Sequence, residues 1–486
     1  MSKGWKKYVS ATAAIAGVVA LTVPSGTQAA GSPVSAGCGS LHEAATLVGH
    51  VQRARQALGF RCDAGYVQSL VGSRSVHDEA QQPFGLFLSA EENAEMALRQ
   101  GMAQAMAAKL FAAYVTSLPG FAGDYIDNQD GGKAVFLFTS APAARQRDVA
   151  ARFPQPDRVE VRQVAHTRAA LADLQARIVH DIPALEASGM SVNTVDTNVA
   201  ANAVVVSVAE PTPDVRSRLA SAYAGPDELV VQQGTAPVLT TTPGVCVIPP
   251  PTSPRCGVTD APTFKGGQEI DNVNSVSQIN PSITICTSGF TVGRFAFPAG
   301  TTPFVLTAGH CGTDQAQWSQ QSTPMGTVQA NAFRGGVDGM IISVPAATTS
   351  NQVFFDYFGG PLYHTVNAVQ GQDTDTVGQW VCHAGIRTGQ SCGTIQSKTL
   401  SLTISGITYN NLRTATTQTE EGDSGGSVYA ISCVSPPNVG CSNNVTAAGT
   451  VMGKVTIADS SGTHTYMMYP HIYDQAVALS VSVLTS

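Results

Sequence analysis

Charge is scarce in this chain of 486 residues: Asp, Glu, Lys and Arg together make up 13% of it, against roughly a quarter in ordinary soluble domains. Hydrophobic residues stand at 43%, so the low charge does not signal disorder. The net charge of -7 is mild, and no run of Lys or Arg is interleaved with aromatics, which excludes a nucleic-acid surface as the main role. None of the ten cysteines has the clustered C-x-x-C spacing of a structural zinc site, so neither a metal nor another cofactor is expected. After the first thirty residues no apolar run is long enough to cross a bilayer.

What is present begins with an export signal. Lys3, Lys6 and Lys7 precede an apolar stretch from Ala11 to Val23 and small residues around Ala29, the three parts of a secretory signal peptide over residues 1–30. The product is therefore expected outside the cell, with no membrane association once the signal is removed. Ten cysteines in an exported chain read as five disulfides between neighbours: Cys38 with Cys62, Cys246 with Cys256, Cys286 with Cys311, Cys382 with Cys392, and Cys433 with Cys441.

Composition divides the remainder in two. From residue 265 onward there are 7 Lys plus Arg and 12 Asp plus Glu, against 20 and 22 before it. The N-terminal part, 31–235, reads as α+β. Ser89 to Glu92 forms a capping box that opens a helical run through Tyr114. Val135 to Phe138 and Ala203 to Val208 read as strands, Asn128 to Gly132 as a turn, and Thr167 to Ser188 as a helix. Residues 236–264 hold Pro237, Pro243, Pro249, Pro250, Pro251, Pro254 and Pro262 and are expected to form a linker without regular structure. From 265 to 486, short Val-, Ile- and Thr-rich runs between Gly, Asn and Ser clusters predict an all-β barrel or sandwich. Its tail, Tyr473 to Val483, reads as a helix or as a last strand.

Two motifs carry chemistry: Thr307-Ala308-Gly309-His310-Cys311 and Gly422-Asp423-Ser424-Gly425-Gly426. A serine hydroxyl is a weak nucleophile until an imidazole can take its proton, and the imidazole needs an acceptor on its other nitrogen. Ser424, His310 and Asp338 fill these roles in the order His, Asp, Ser. Asp338 is followed by a strand-like run that Asp271, Asp314 and Asp356 lack. Backbone N–H groups of Gly422 and Ser424 would meet the oxyanion of a tetrahedral intermediate. An α/β-hydrolase would need G-x-S-x-G and the opposite order. His364, His464 and His471 read as packing or surface residues.

These motifs, together with the stretch Val381-Cys382-His383-Ala384-Gly385-Ile386-Arg387-Thr388-Gly389-Gln390-Ser391-Cys392-Gly393-Thr394-Ile395, resemble alpha-lytic protease and the streptogrisins, chymotrypsin-like secreted bacterial serine proteases. Phe121 to Ile126, Val159 to Arg162 and Asn202 to Val206 are similar to segments of the alpha-lytic-type pro-region. The resemblance implies two six-stranded β-barrels over 265–486 with the site between them, preceded by a pro-region that assists folding and inhibits. It implies a monomeric serine endopeptidase acting on proteins or peptides, with the pro-region as its intramolecular partner. A binding protein that has lost catalysis is the alternative.

Departures from the pattern carry further expectations. The cysteine usual before GDSGG is absent, and Cys433 with Cys441 is a local substitute. Met452 replaces a serine whose hydroxyl would bond the triad aspartate. Asp423, buried beside the nucleophile, is expected to find its charge partner in Arg387 or His383. The pocket for the residue before the scissile bond is expected among Gln418 to Glu421, Val451 to Lys454 (with Met452, Gly453 and Lys454) and Tyr466 to Met468, including Met467. Its methionines favour an apolar side chain, whereas Glu420 and Glu421 would attract a basic one and Lys454 an acidic one.

Overall fold

The computed structural model describes residues 38, 47–72, 84–223, 228–240, 242–243, 263–272, 284–294, 303–313, 315–320, 323–345, 348–357, 361–434, 440–459 and 462–486. The signal peptide and the pairing of Cys246 with Cys256 lie outside the described residues.

Local signals set the N-terminal helices. The Ser89 hydroxyl accepts from the Glu92 backbone N–H at 3.2 Å while Glu92 Oε2 accepts from the Ser89 N–H at 2.8 Å, a reciprocal cap that starts the helix Ala90–Ala107. The helical run does not continue unbroken to Tyr114. Ala108 takes an extended backbone, and a second helix spans Lys109–Ser117. Strands Phe121–Asp127, Lys133–Phe138 and Val159–Gln163 form a three-stranded sheet. Phe121, Phe136 and Phe138 from this sheet share one apolar core with Met102 and Met106 of the helix.

A second N-terminal layer holds strands Val192–Asn198, Ala203–Val208 and Leu229–Gly234, covered by the helix Arg168–Ala187. Leu171, Leu174, Ile178 and Ile182 fall on one helix face and pack on Val195, Val204 and Val206. This sheet does not stop at its own edges. Val195 pairs with Ser401 on one side, and Gln233 and Gly234 pair with Ala458 and Ile457 on the other. Residues 35–486 accordingly form one compact unit.

The C-terminal half is all-β, as its composition predicts, and its strands build a curled half-barrel sheet and, together with N-terminal strands, one closed seven-strand barrel. The double-barrel expectation holds in architecture but not as two six-stranded barrels. The closed ring takes the N-terminal strands Val192–Asn198, Ala203–Val208 and Leu229–Gly234 between Gly389–Ile404 and Gly453–Asp459, and Gly462–Tyr469 and Ile407–Ala415 complete it. Each sheet has its own apolar core, one around Ile270, Trp318 and Met340 and the other around Val381, Val428 and Tyr469. The tail is both helix and strand, Ile472–Leu479 followed by Val481–Val483.

The linker expectation also needs correcting. Val238–Leu239 pairs antiparallel with Gly453–Lys454, and Thr242–Pro243 pairs with Thr284–Ile285. Proline removes one donor but leaves the carbonyl, so it is tolerated in short strands at a sheet edge.

Candidate active site

Strand pairing assembles the site. His310 stands in the turn Gly309–Cys311, directly after strand Pro303–Thr307. Asp338 stands two residues before strand Met340–Ser343. Because Thr307 pairs with Met340, the two ends meet. Asp338 Oδ1 accepts from the His310 backbone N–H at 2.9 Å, and Asp338 Oδ2 lies 2.7 Å from His310 Nδ1. His310 Nε2 lies 2.8 Å from Ser424 Oγ. Asp338 and Ser424 are both fully buried.

The serine loop is clamped from several directions. Thr287 donates its N–H to the Ser424 carbonyl and its hydroxyl to the Gly422 carbonyl, both at 2.8 Å. Gly425 N–H donates to the Val451 carbonyl at 2.8 Å. The disulfide Cys286–Cys311 ties the strand carrying Thr287 to the turn carrying His310. Cys382–Cys392 and Cys433–Cys441 each link directly paired residues of neighbouring strands, and Cys38–Cys62 closes the N-terminal segment.

Asp423 is met differently from the expectation. Its Oδ1 accepts the backbone N–H groups of Arg387 at 2.8 Å and Thr388 at 3.2 Å. Its Oδ2 accepts the Thr388 hydroxyl and the Glu420 N–H, each at 2.8 Å, and the Thr419 hydroxyl at 3.5 Å. His383 Nε2 is 2.5 Å from the Gln418 carbonyl instead. Dipoles aimed at both oxygens take the place of a cation, satisfying the buried carboxylate by hydrogen bonds. Among the described residues Asp423 forms no ion pair.

At the expected pocket, Met452, Met467 and Met468 are fully buried, and the Thr417 hydroxyl donates to Met467 Sδ at 3.2 Å. Gln418 and Glu421 are exposed at the rim. Lys454 Nζ pairs with Glu420 Oε2 at 2.9 Å, so two of the rim charges cancel. The Met452 side chain packs in an apolar cluster with Leu400, Leu402 and Tyr409. Among the described residues, the hydrogen bonds to the Asp338 carboxylate come from the backbone and the ring of His310.

Thr240, from the linker, was not singled out in the sequence and lies at the centre. Its hydroxyl is 2.9 Å from Ser424 Oγ, and its carbonyl oxygen accepts from the Gly422 N–H at 2.5 Å. Gln475, also not anticipated, donates to the Asp338 carbonyl and to Thr450 Oγ1, each at 2.7 Å. No local pattern marks either residue. A cavity of about 700 Å³ bordered by Asp124, Arg168, Lys398 and Tyr473 lies elsewhere.

The other histidines have packing environments. Burial holds His364 down at about 4 against the opposing bond to Asn443, and its ring stacks on Phe355 at 4.0 Å. Burial likewise lowers His471 to about 4, and its Nδ1 caps a helix by accepting from the Tyr473 N–H. The His464 ring stacks on Tyr466. Among the described residues no group of three or more His, Cys, Asp or Glu could hold a metal ion.

No family model matches the chain. It is 33% identical to streptogrisin-C of Streptomyces griseus over 168 residues, 34% of this chain and 34% of that protein. It is 29% identical to serine protease 2 of Streptomyces fradiae over 175 residues, 34% of this chain and 91% of that protein. The match thus spans about a third of the length of streptogrisin-C. Among solved structures, Thermobifida fusca protease A is similar with a TM-score of 0.34 and 26% identity, covering 46% of this chain and 100% of that one. Over about a third of its length the chain is thus similar in sequence to two serine proteases of Streptomyces.

Proposed function

We propose that the chain is the zymogen of a secreted serine endopeptidase. In this reading residues 1–30 direct export, 31–235 form a pro-region that assists folding and inhibits, 236–264 connect, and 265–486 hydrolyse peptide bonds as a monomer. The observation that carries it is the unbroken line from Asp338 Oδ2 through the His310 ring to Ser424 Oγ, with contacts of 2.7 and 2.8 Å. Ser424 Oγ attacks the substrate carbonyl as His310 Nε2 takes its proton. Asp338 fixes the imidazole tautomer and stabilises the imidazolium. Gly422 and Ser424 N–H groups face the oxyanion, each worth about 2.7–4 kcal/mol of transition-state stabilisation. His310 then protonates the leaving amine, and water releases the acyl group from Ser424.

A role for 31–235 in folding is supported by where it pairs. Strands Val192–Asn198 and Leu229–Gly234 extend protease strands far apart in sequence, and non-local β pairing is the slow part of barrel folding. The helix Ala90–Ala107 adds Gln100, whose Nε2 reaches the Trp380 and Ile431 carbonyls at 3.3 and 3.4 Å.

The test is hydrolysis of a peptide library, read by mass spectrometry, with the full-length protein and its Ser424→Ala variant. Cleavage by the first alone is expected. Identical behaviour of the two, with no peptide cut, would replace this reading by that of a secreted binding protein without catalysis.

A further inference from the structure

The helix Ile472–Leu479 buries Ile472, Gln475 and Leu479 on one face. Ile472 and Leu479 join the apolar core that also holds Phe304, Leu306 and Ile341, so Gln475 places a polar amide where an aliphatic side chain would fit. Burying an amide is unfavourable unless its hydrogen bonds are made. Gln475 Nε2 donates to the Asp338 carbonyl and to Thr450 Oγ1, each at 2.7 Å, while Oε1 has no partner among the described residues. The nitrogen must face Asp338, because a backbone carbonyl can only accept.

The two acceptors belong to opposite sides of the catalytic centre. Asp338 lies between the turn Phe333–Gly335 and the strand Met340–Ser343. Thr450 ends the strand Gly440–Thr450, and the next residue, Val451, accepts the Gly425 N–H at 2.8 Å and gives its own N–H to the Gly426 carbonyl at 2.9 Å. One amide therefore joins the loop of the acid to the strand that holds the loop of the nucleophile. The helix that carries it is held at both ends. His471 caps its first turn, and after Ser480 the strand Val481–Val483 pairs with Val292 to Arg294. The helix also packs closely on Gly339, where a Cβ would stand 3.2 Å from Gln475 Nε2 and 3.3 Å from Leu479 Cδ1.

We infer that Gln475 is a positioning residue of the triad, which fixes the main chain of Asp338 against the strand behind Ser424 and so keeps Asp338, His310 and Ser424 in line. The inference rests on the protease reading above and adds a residue to it. Gln475 touches neither the reacting atoms nor the substrate and acts through the backbone of Asp338. The two bonds from His310 to the Asp338 carboxylate tie the acid to the base but not to the nucleophile. Gln475 supplies that second tie, and the three side chains of the triad then share one frame. Its unpartnered Oε1 works against stability, so the residue serves the geometry of the site more than the packing of the core.

The experiment compares steady-state peptide hydrolysis and thermal unfolding of the full-length wild type, Gln475→Met, Thr450→Val, Asp338→Asn, and each of the first two variants combined with Asp338→Asn. Methionine is close to glutamine in size and removes both hydrogen bonds. Gln475→Met should lower kcat by about 10- to 100-fold with KM within about two-fold of wild type, and Tm should move by only a few degrees. In the Asp338→Asn background the same substitution should cost less than about two-fold, because groups that act as a unit are not additive. Thr450→Val, which leaves the bond to Asp338, should lower kcat by less than Gln475→Met and should also lose its effect in that background. An unchanged kcat, an effect confined to KM, or a loss of equal size with and without Asp338→Asn overturns the positioning role and leaves the protease reading standing. Where Gln475→Met does not fold, Thr450→Val is judged by the same criteria. Absence of peptide hydrolysis by the wild type overturns the protease reading and the role of Gln475 with it.

Discussion

Asp338 accepts from both the backbone N–H and the ring of His310, at 2.9 and 2.7 Å, so one carboxylate sets the position of the histidine and the direction its imidazole faces. A single amide oxygen cannot do both jobs with the charge removed. Asp338→Asn should lower kcat on peptides by about 10⁴-fold with KM little changed. The Tm should shift far less than for loss of a core residue, since the amide is nearly isosteric. Steady-state kinetics with calorimetry on the same preparation would check both.

Gly385 lies against the Asp423 cage. A Cβ there would come within 2.2 Å of Asp423 Oδ1, and the carboxylate has five donors that hold it in place. Gly385→Ala should therefore destabilise the chain by about 1–3 kcal/mol through overpacking, and it should also impair catalysis by moving the loop that carries Ser424. A lower urea midpoint together with reduced kcat is the expected pair of readings.

Asp375 is the centre of a buried charge cluster, 2.8 Å from Arg413 Nε and 3.2 Å from Lys398 Nζ. Burial would raise its pKa, but the charges of Lys398 and Arg413 outweigh this and hold it well below the usual 3.8. A depressed native pKa gives stability that is present above the ordinary carboxylate value and is lost as pH falls below it. In full-length Ser424→Ala protein, Asp375→Asn should cost about 3–5 kcal/mol at pH 7 by stranding two cations. The difference from the parent should shrink as pH falls below 3.8. Thermal unfolding across pH 2–7 would read it.

Lys454 and Glu420 form an ion pair at the pocket rim, and Glu420 is 62% exposed in its side chain. Exposed pairs are worth about 0–1 kcal/mol, so Lys454→Ala should leave the Tm nearly unchanged. It should free the Glu420 carboxylate, lowering KM for peptides with a basic residue at the rim by roughly two- to five-fold and leaving kcat unaltered. The effect should fade in high salt.

Features built from neighbouring residues were legible in advance. The capping box at Ser89 and Glu92, the helix starting after Thr167, and the strand Ala203–Val208 follow from hydrogen bonds and side-chain periods that repeat within a few residues. The motifs around His310 and Ser424 are equally dense. Asp338 was legible through its strand, because the pairing of Thr307 with Met340 joins segments that both read as strands.

The amino-acid sequence by itself determined the class of fold, the α+β and all-β halves, and the three side chains that face one another at the site. Only the tertiary structure decided what surrounds them. Thr240 reaches Ser424 through edge-strand pairing with residues more than 200 positions away, and no local pattern encodes such a register. The partners of Asp423 were hidden for a related reason. They are mostly backbone N–H groups, which every residue but proline carries, so their aim is set by how the loops fold over the carboxylate and not by which residues they contain.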